Sequence, residues 1–111
     1  MAYDESRAEI MRADFGFEPG LSEKPMFGGI CFLLHGNMLG AYGPQGALYR
    51  PGKAVEAQVL SRDGVSPMMQ GTRRMGGFVR LDPGAFDEDA DLRQELTQLS
   101  LAHVACLPPK E

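Results

Sequence analysis

The sequence predicts an α+β domain: a mostly antiparallel sheet of about five strands with helices packed on one face, in the order α-β-β-β-α-β-β-α. Three observations carry this. Short apolar runs are separated by tight-turn signals, residues near both ends recur at helical spacing, and no linker or 20–50-residue repeat divides the chain. Neighbouring strands joined by tight turns can only pair antiparallel, which leaves the helices to cover the sheet.

The elements follow in order. Between Asp4 and Asp14, Ala8, Met11 and Phe15 recur at i, i+3 and i+7, the spacing of an amphipathic helix. Asp4 or Ser6 can cap it, and Gly16 with Pro19-Gly20 ends it. Ile30 to His35 then reads as a strand, and Gly36-Asn37 marks a hairpin leading to Met38–Tyr42. A turn at Gly43-Pro-Gln-Gly46 opens a third strand, Ala47 to Arg50. Lys53 to Arg62 reads as a short helix with Val55, Val59 and Leu60 inward. Val65–Gln70 and Phe78–Leu81 form a second hairpin around a long basic loop, Gly71 to Gly77. Asp87, Glu88, Asp89 and Asp91 gather where the last helix begins, where carboxylates favour the exposed N–H groups. That helix carries the stripe Leu92, Leu96, Leu99, His103 and Cys106, and Pro108-Pro109 stops it.

Composition bounds the function. With 43% hydrophobic and 23% charged residues over 111 positions, the chain suits one folded domain, residues 1–111. No apolar run approaches the ~20 residues of a membrane span, and the acidic start MAYDESRAEIM is unlike a signal peptide, so a cytoplasmic location without membrane contact is expected. Cys31 and Cys106 are expected as free thiols. The net charge of −4 argues against a surface built wholly for nucleic acid. It hides one asymmetry: over residues 50–82, six cations (Arg50, Lys53, Arg62, Arg73, Arg74, Arg80) face three acids (Glu56, Asp63, Asp82).

Searches for chemistry exclude more than they find. No two glycines are separated by one residue, so the dinucleotide fingerprint is absent, and the only Gly-Lys, at residues 52–53, is followed by alanine and not by the Ser or Thr of a phosphate loop. Gly28-Gly29 therefore reads as a kink or bulge ahead of a strand. Cys31 and His35 lie about 13 Å apart at ~3.3 Å per residue and cannot share a metal. Gly-x-Ser-x-Gly fails at its last glycine at both Ser22 and Ser66. No catalytic group, metal or cofactor is expected. What remains is an arginine cluster suited to phosphate or carboxylate, and seven methionines that either fill the core or form an adaptable contact surface.

Met26-Phe-Gly-Gly-Ile30, Gly36-Asn-Met38, Met75-Gly-Gly-Phe-Val79 and Leu107-Pro-Pro-Lys110 occur in an order and spacing that resembles the N-terminal domain of the TfoX/Sxy competence regulators over nearly the whole chain. The resemblance implies an α+β domain that takes part in transcription regulation, with no catalytic residues to carry over. One departure from the resemblance is that full-length regulators carry a second, C-terminal helical domain that is not found after Pro108-Pro109, so a stand-alone domain is expected. The function expected is a non-enzymatic regulatory or protein-interaction module whose partner is a protein, either transcription machinery or a second copy. Its candidate surface is Arg50, Arg73, Arg74, Arg80, Met26 and Met75. Two alternatives stand beside it: nucleic-acid binding through the four arginines, and a small-molecule sensor or enzyme with a pocket near Cys31 and His103.

Overall fold

The structure, a computed structural model, describes residues 4–26 and 28–108. Helix α1 spans Glu5–Phe15, with Asp4 as its cap: the carboxylate accepts the N–H groups of Ser6 and Arg7, while Ala8, Met11 and Phe15 are buried. Six strands follow, β1 Leu21–Met26, β2 Gly29–Leu34, β3 Asn37–Gly43, β4 Gly46–Tyr49, β5 Val65–Gln70 and β6 Arg73–Leu81, with α2 Lys53–Leu60 between β4 and β5. Helices α3 Pro83–Glu88 and α4 Ala90–Ala105 close the chain. All strand pairs are antiparallel, in the order β1-β2-β3-β4-β6-β5.

The α+β architecture is the expected one, with one strand beyond the anticipated five and one extra short helix. The additional strand is β1, at the sheet edge. Helix α3 opens at Asp82, which accepts the N–H groups of Gly84 and Ala85 and turns an expected Pro-Gly turn into a helix start. The first hairpin turns at His35-Gly36 rather than Gly36-Asn37: Leu34 pairs with Asn37, and both turn residues have positive φ, 51° and 85°. That is the backbone of the two-residue turns that suit strand twist, and His35 is the one non-glycine among the described residues to adopt it. Gly28 takes φ 76° just ahead of β2, whose first residue, Gly29, pairs with Met26 of β1. The second basic hairpin has no long loop, because Gln70 pairs with Arg73 across Gly71-Thr72. The proline stop falls partly outside the described residues, as do Phe27 and Lys110 of the quoted motifs.

The core lies between one face of the sheet and the helices. Phe32, Leu34, Tyr49, Val79 and Leu81 from the strands meet Met11, Phe15, Val59, Phe86, Leu92, Leu96 and Val104 from the helices. Phe15 packs its ring 5.4 Å from Phe32, within the range of favourable tilted pairs. In α4 the buried stripe turns through Thr97, Ser100 and Val104, so His103 is half-buried and Cys106 exposed, in place of the expected Leu-His-Cys stripe. At one end Arg93 ties the helices together, donating to Asp14 of α1 at 2.7 Å and to the Phe86 carbonyl of α3 at 3.2 Å.

Candidate functional site

Because strand side chains alternate, a sheet with helices on one face presents its other set of side chains away from them. In β2 the odd set is Cys31 and Leu33. Register carries it across the sheet to Lys24 in β1, Ala41 and Met38 in β3, Leu48 in β4 and Arg80 in β6. None of these joins the helix-covered core cluster. Cys31, Met38, Ala41, Leu48 and Arg80 of this set line instead a groove of about 480 Å³ with lining residues from all six strands. Cys31 and Leu48 make its floor, and half-buried Met26, Met38, Met68, Met75 and Phe78 make its walls. Most of that surface is apolar side chain, and among the described residues no helix covers it.

One wall is built by a bulge. Pro67 pairs with Val79 but Met69 with Arg74, so Met75, Gly76, Gly77 and Phe78 lie opposite Met68 alone. Gly77 takes φ 87°, which favours glycine. The bulge is held from the helix side. The buried Glu56 of α2 accepts the Gly77 N–H at 2.9 Å and the guanidinium of Arg74 at 3.0 and 3.2 Å, while the Gly52 N–H donates to the Gly77 carbonyl at 3.1 Å. The Gly77 N–H, and then Arg74, hold the Glu56 carboxyl below its usual range. Glu56 thus sets the positions of Met75 and Phe78 without lining the groove itself.

The arginines expected to act together are divided by this geometry. Arg80 lines the groove. Arg73, at the hairpin tip opposite the groove residue Gln70, is exposed and forms no ion pair among the described residues. Arg74 turns to Glu56 on the helix side. Arg50 folds over the Phe78 ring at 5.1 Å and donates to the Met38 carbonyl at 3.3 Å, so it buttresses the groove wall, and burial holds its guanidinium below the usual arginine range. Met26 and Met75, the two candidate methionines, both line the groove. Met38 and Met68 join them, though the sequence alone favours core filling for most methionines. The signal that could have found them is Ile30–Leu34, apolar at odd and even positions alike, as a strand buried on both faces must be.

Cys31 and His103 do not converge. Cys31 is in the groove floor, with its thiol pushed up by burial and only partly offset by Lys24. His103 belongs to α4, which packs on the other side of the sheet, and its ring rests on Gly52. Burial, and then the Arg50 charge, hold the His103 imidazole below its usual value. The pocket expected near the two residues is therefore a groove at Cys31 alone. Among the described residues no three His, Cys, Asp or Glu side chains form a set that could hold a metal, and no helix is long and apolar enough to cross a membrane.

Comparison with known families places this geometry in context. The family model of the TfoX N-terminal domain matches residues 15–104, and the chain belongs to that family. No curated protein and no solved structure gives a significant match.

Proposed function

We propose that this TfoX N-terminal domain is a non-enzymatic interaction module of the cytoplasm that engages a protein partner through the uncovered face of its sheet. One observation carries the reading: an apolar groove with four methionine side chains in its lining crosses the face that the helices leave bare. Sheets with two apolar faces are ordinarily covered on both. Methionine, unbranched and polarizable, suits a surface that must adapt to a partner. The regulatory role follows the family: a module that meets one component of the transcription machinery needs a binding face and no reacting group.

The test is site-specific crosslinking in cells. A photoreactive side chain in place of Met68 or Met75 is expected to capture a discrete protein, and the same group at Asp91, exposed on α4, is expected not to. Adding Met38→Glu, which places a charge in the groove wall, should abolish the adduct. Equal capture from both faces, or none from the groove, would remove the proposal.

A further inference from the structure

The charges around the groove say what kind of surface it takes. The six strands contain a single carboxylate, Glu23, and its side chain pairs with Arg12 of α1 on the helix side. Cations on the open side are Lys24, opposite Cys31; Arg80, in the groove; Arg73, at the hairpin tip; and Arg50, against Phe78. A chain of net charge −4 therefore presents one face that is apolar at its centre and positive around it, while its carboxylates sit almost entirely on the helices and turns.

We propose that the occupant of this groove is an acidic amphipathic helix of a partner protein, with its apolar stripe on the Met26, Met38, Met68, Met75, Leu48 and Phe78 surface and its carboxylates against Lys24, Arg73 and Arg80. This rests on the reading of the open face as an interaction surface and names its partner's chemistry. Charge complementarity selects the occupant. A second copy docked face to face would set these cations against each other, and the residues free of carboxylate would have nothing to pair with. Nucleic acid would need the arginines to reach outward, but Arg74 is turned to Glu56 and Arg50 lies over Phe78, leaving an apolar centre with few phosphate contacts. A helix laid on the sheet supplies the missing second layer. Across five inter-strand steps of ~4.8 Å, the groove accommodates about 16 residues of helix at 1.5 Å each.

The probe is a synthetic amphipathic peptide of about that length, with Leu and Met on one face and Glu on the other, compared with its counterpart carrying Lys for Glu. The Glu peptide is expected to gain helical circular dichroism on binding and to shift the amide resonances of Cys31, Met38, Leu48 and Phe78. Its affinity should fall as salt rises. Arg80→Glu should weaken it by about tenfold, as should the exposed Lys24→Glu, which keeps the test open if Arg80→Glu disturbs the fold. The Lys peptide should bind the wild type weakly and recover on Arg80→Glu. Equal binding of both peptides, binding without helix gain, self-association through the groove, or displacement of the same resonances by DNA or RNA would each overturn the proposal. If neither peptide binds while the groove crosslink persists, this inference falls and the interaction reading stands; if both fail, both fall.

Discussion

Glu56 is a buried carboxylate in a helix that the sequence presents as ordinary, and its replacement separates two of the forces that shape the groove. Glu56→Ala removes the acceptor of the Gly77 N–H, which costs ~1–3 kcal/mol for a buried donor. It also removes a pair with Arg74, whose side chain is 52% exposed, adding only ~0–1 kcal/mol. About 2.5 kcal/mol in total is expected, against a net stability of ~5–15 kcal/mol for a domain of this size. Glu56→Gln keeps an oxygen for Gly77 and should lose only about 1 kcal/mol. The pH dependence has a definite sign. The folded carboxyl titrates below its ordinary value of 4.5, so its contribution is complete above that value and is lost as pH falls through the lower folded one. Urea unfolding of wild type and both variants at about pH 7 and about pH 3 measures all of this. The gap between wild type and Glu56→Ala should narrow in acid. A loss under ~0.5 kcal/mol, a Gln variant no better than Ala, or a gap indifferent to pH would refute the argument.

Three further outcomes are expected. Gly40→Ala would bring a Cβ to 2.4 Å from the Leu48 carbonyl and 3.1 Å from Met11, so it should lower the melting temperature by about 10 °C or more through ~2–3 kcal/mol of overpacking, and a change under ~2 °C would contradict the packing described. In the native protein a thiol reagent should modify exposed Cys106 quickly and Cys31 slowly, with Cys31 catching up only in denaturant, because burial disfavours its thiolate; two equal rates would contradict it. Asp4→Ala should lower the midpoint of chemical unfolding, since its carboxylate caps α1 through the N–H groups of Ser6 and Arg7; an unchanged midpoint would mean that the cap contributes nothing.

Local chemistry made much of this fold legible. Asp4 and Gly16 bracket α1 because a side-chain acceptor and a residue tolerant of φ 74° are what helix ends require. Strand β1 escaped notice because Leu-Ser-Glu-Lys-Pro-Met lacks alternating hydrophobicity: it is an edge strand with four exposed residues, and edges carry Lys and Pro to discourage further pairing. Helix α3 was hidden by Pro83-Gly84, which reads as a turn until Asp82 caps it. The Met75–Phe78 bulge was hidden for a different reason. Its two glycines look like loop, and only the tertiary bond from Glu56 to Gly77, 21 residues away in sequence, makes them part of a strand.

The positive middle of the chain illustrates how a linear signal becomes a spatial one. Arg73 and Arg74 are neighbours in sequence, yet strand alternation sends them to opposite faces: one beside Gln70 toward the groove, the other to Glu56. Arg62, from the same stretch, pairs with Glu95 on α4. Of the six cations in residues 50–82, Arg62 and Arg74 pair with helix carboxylates and Arg50 folds against the sheet, so a count of charges along the chain overstates what a phosphate backbone could meet. The same alternation concentrates what is left. Arg73 and Arg80 of β6 and Lys24 of β1 come together on a face with no strand carboxylate to neutralise them, so the open face is more selective for negative charge than the net charge of −4 suggests. Sheet parity, and not the local density of arginine, decides which surface is positive.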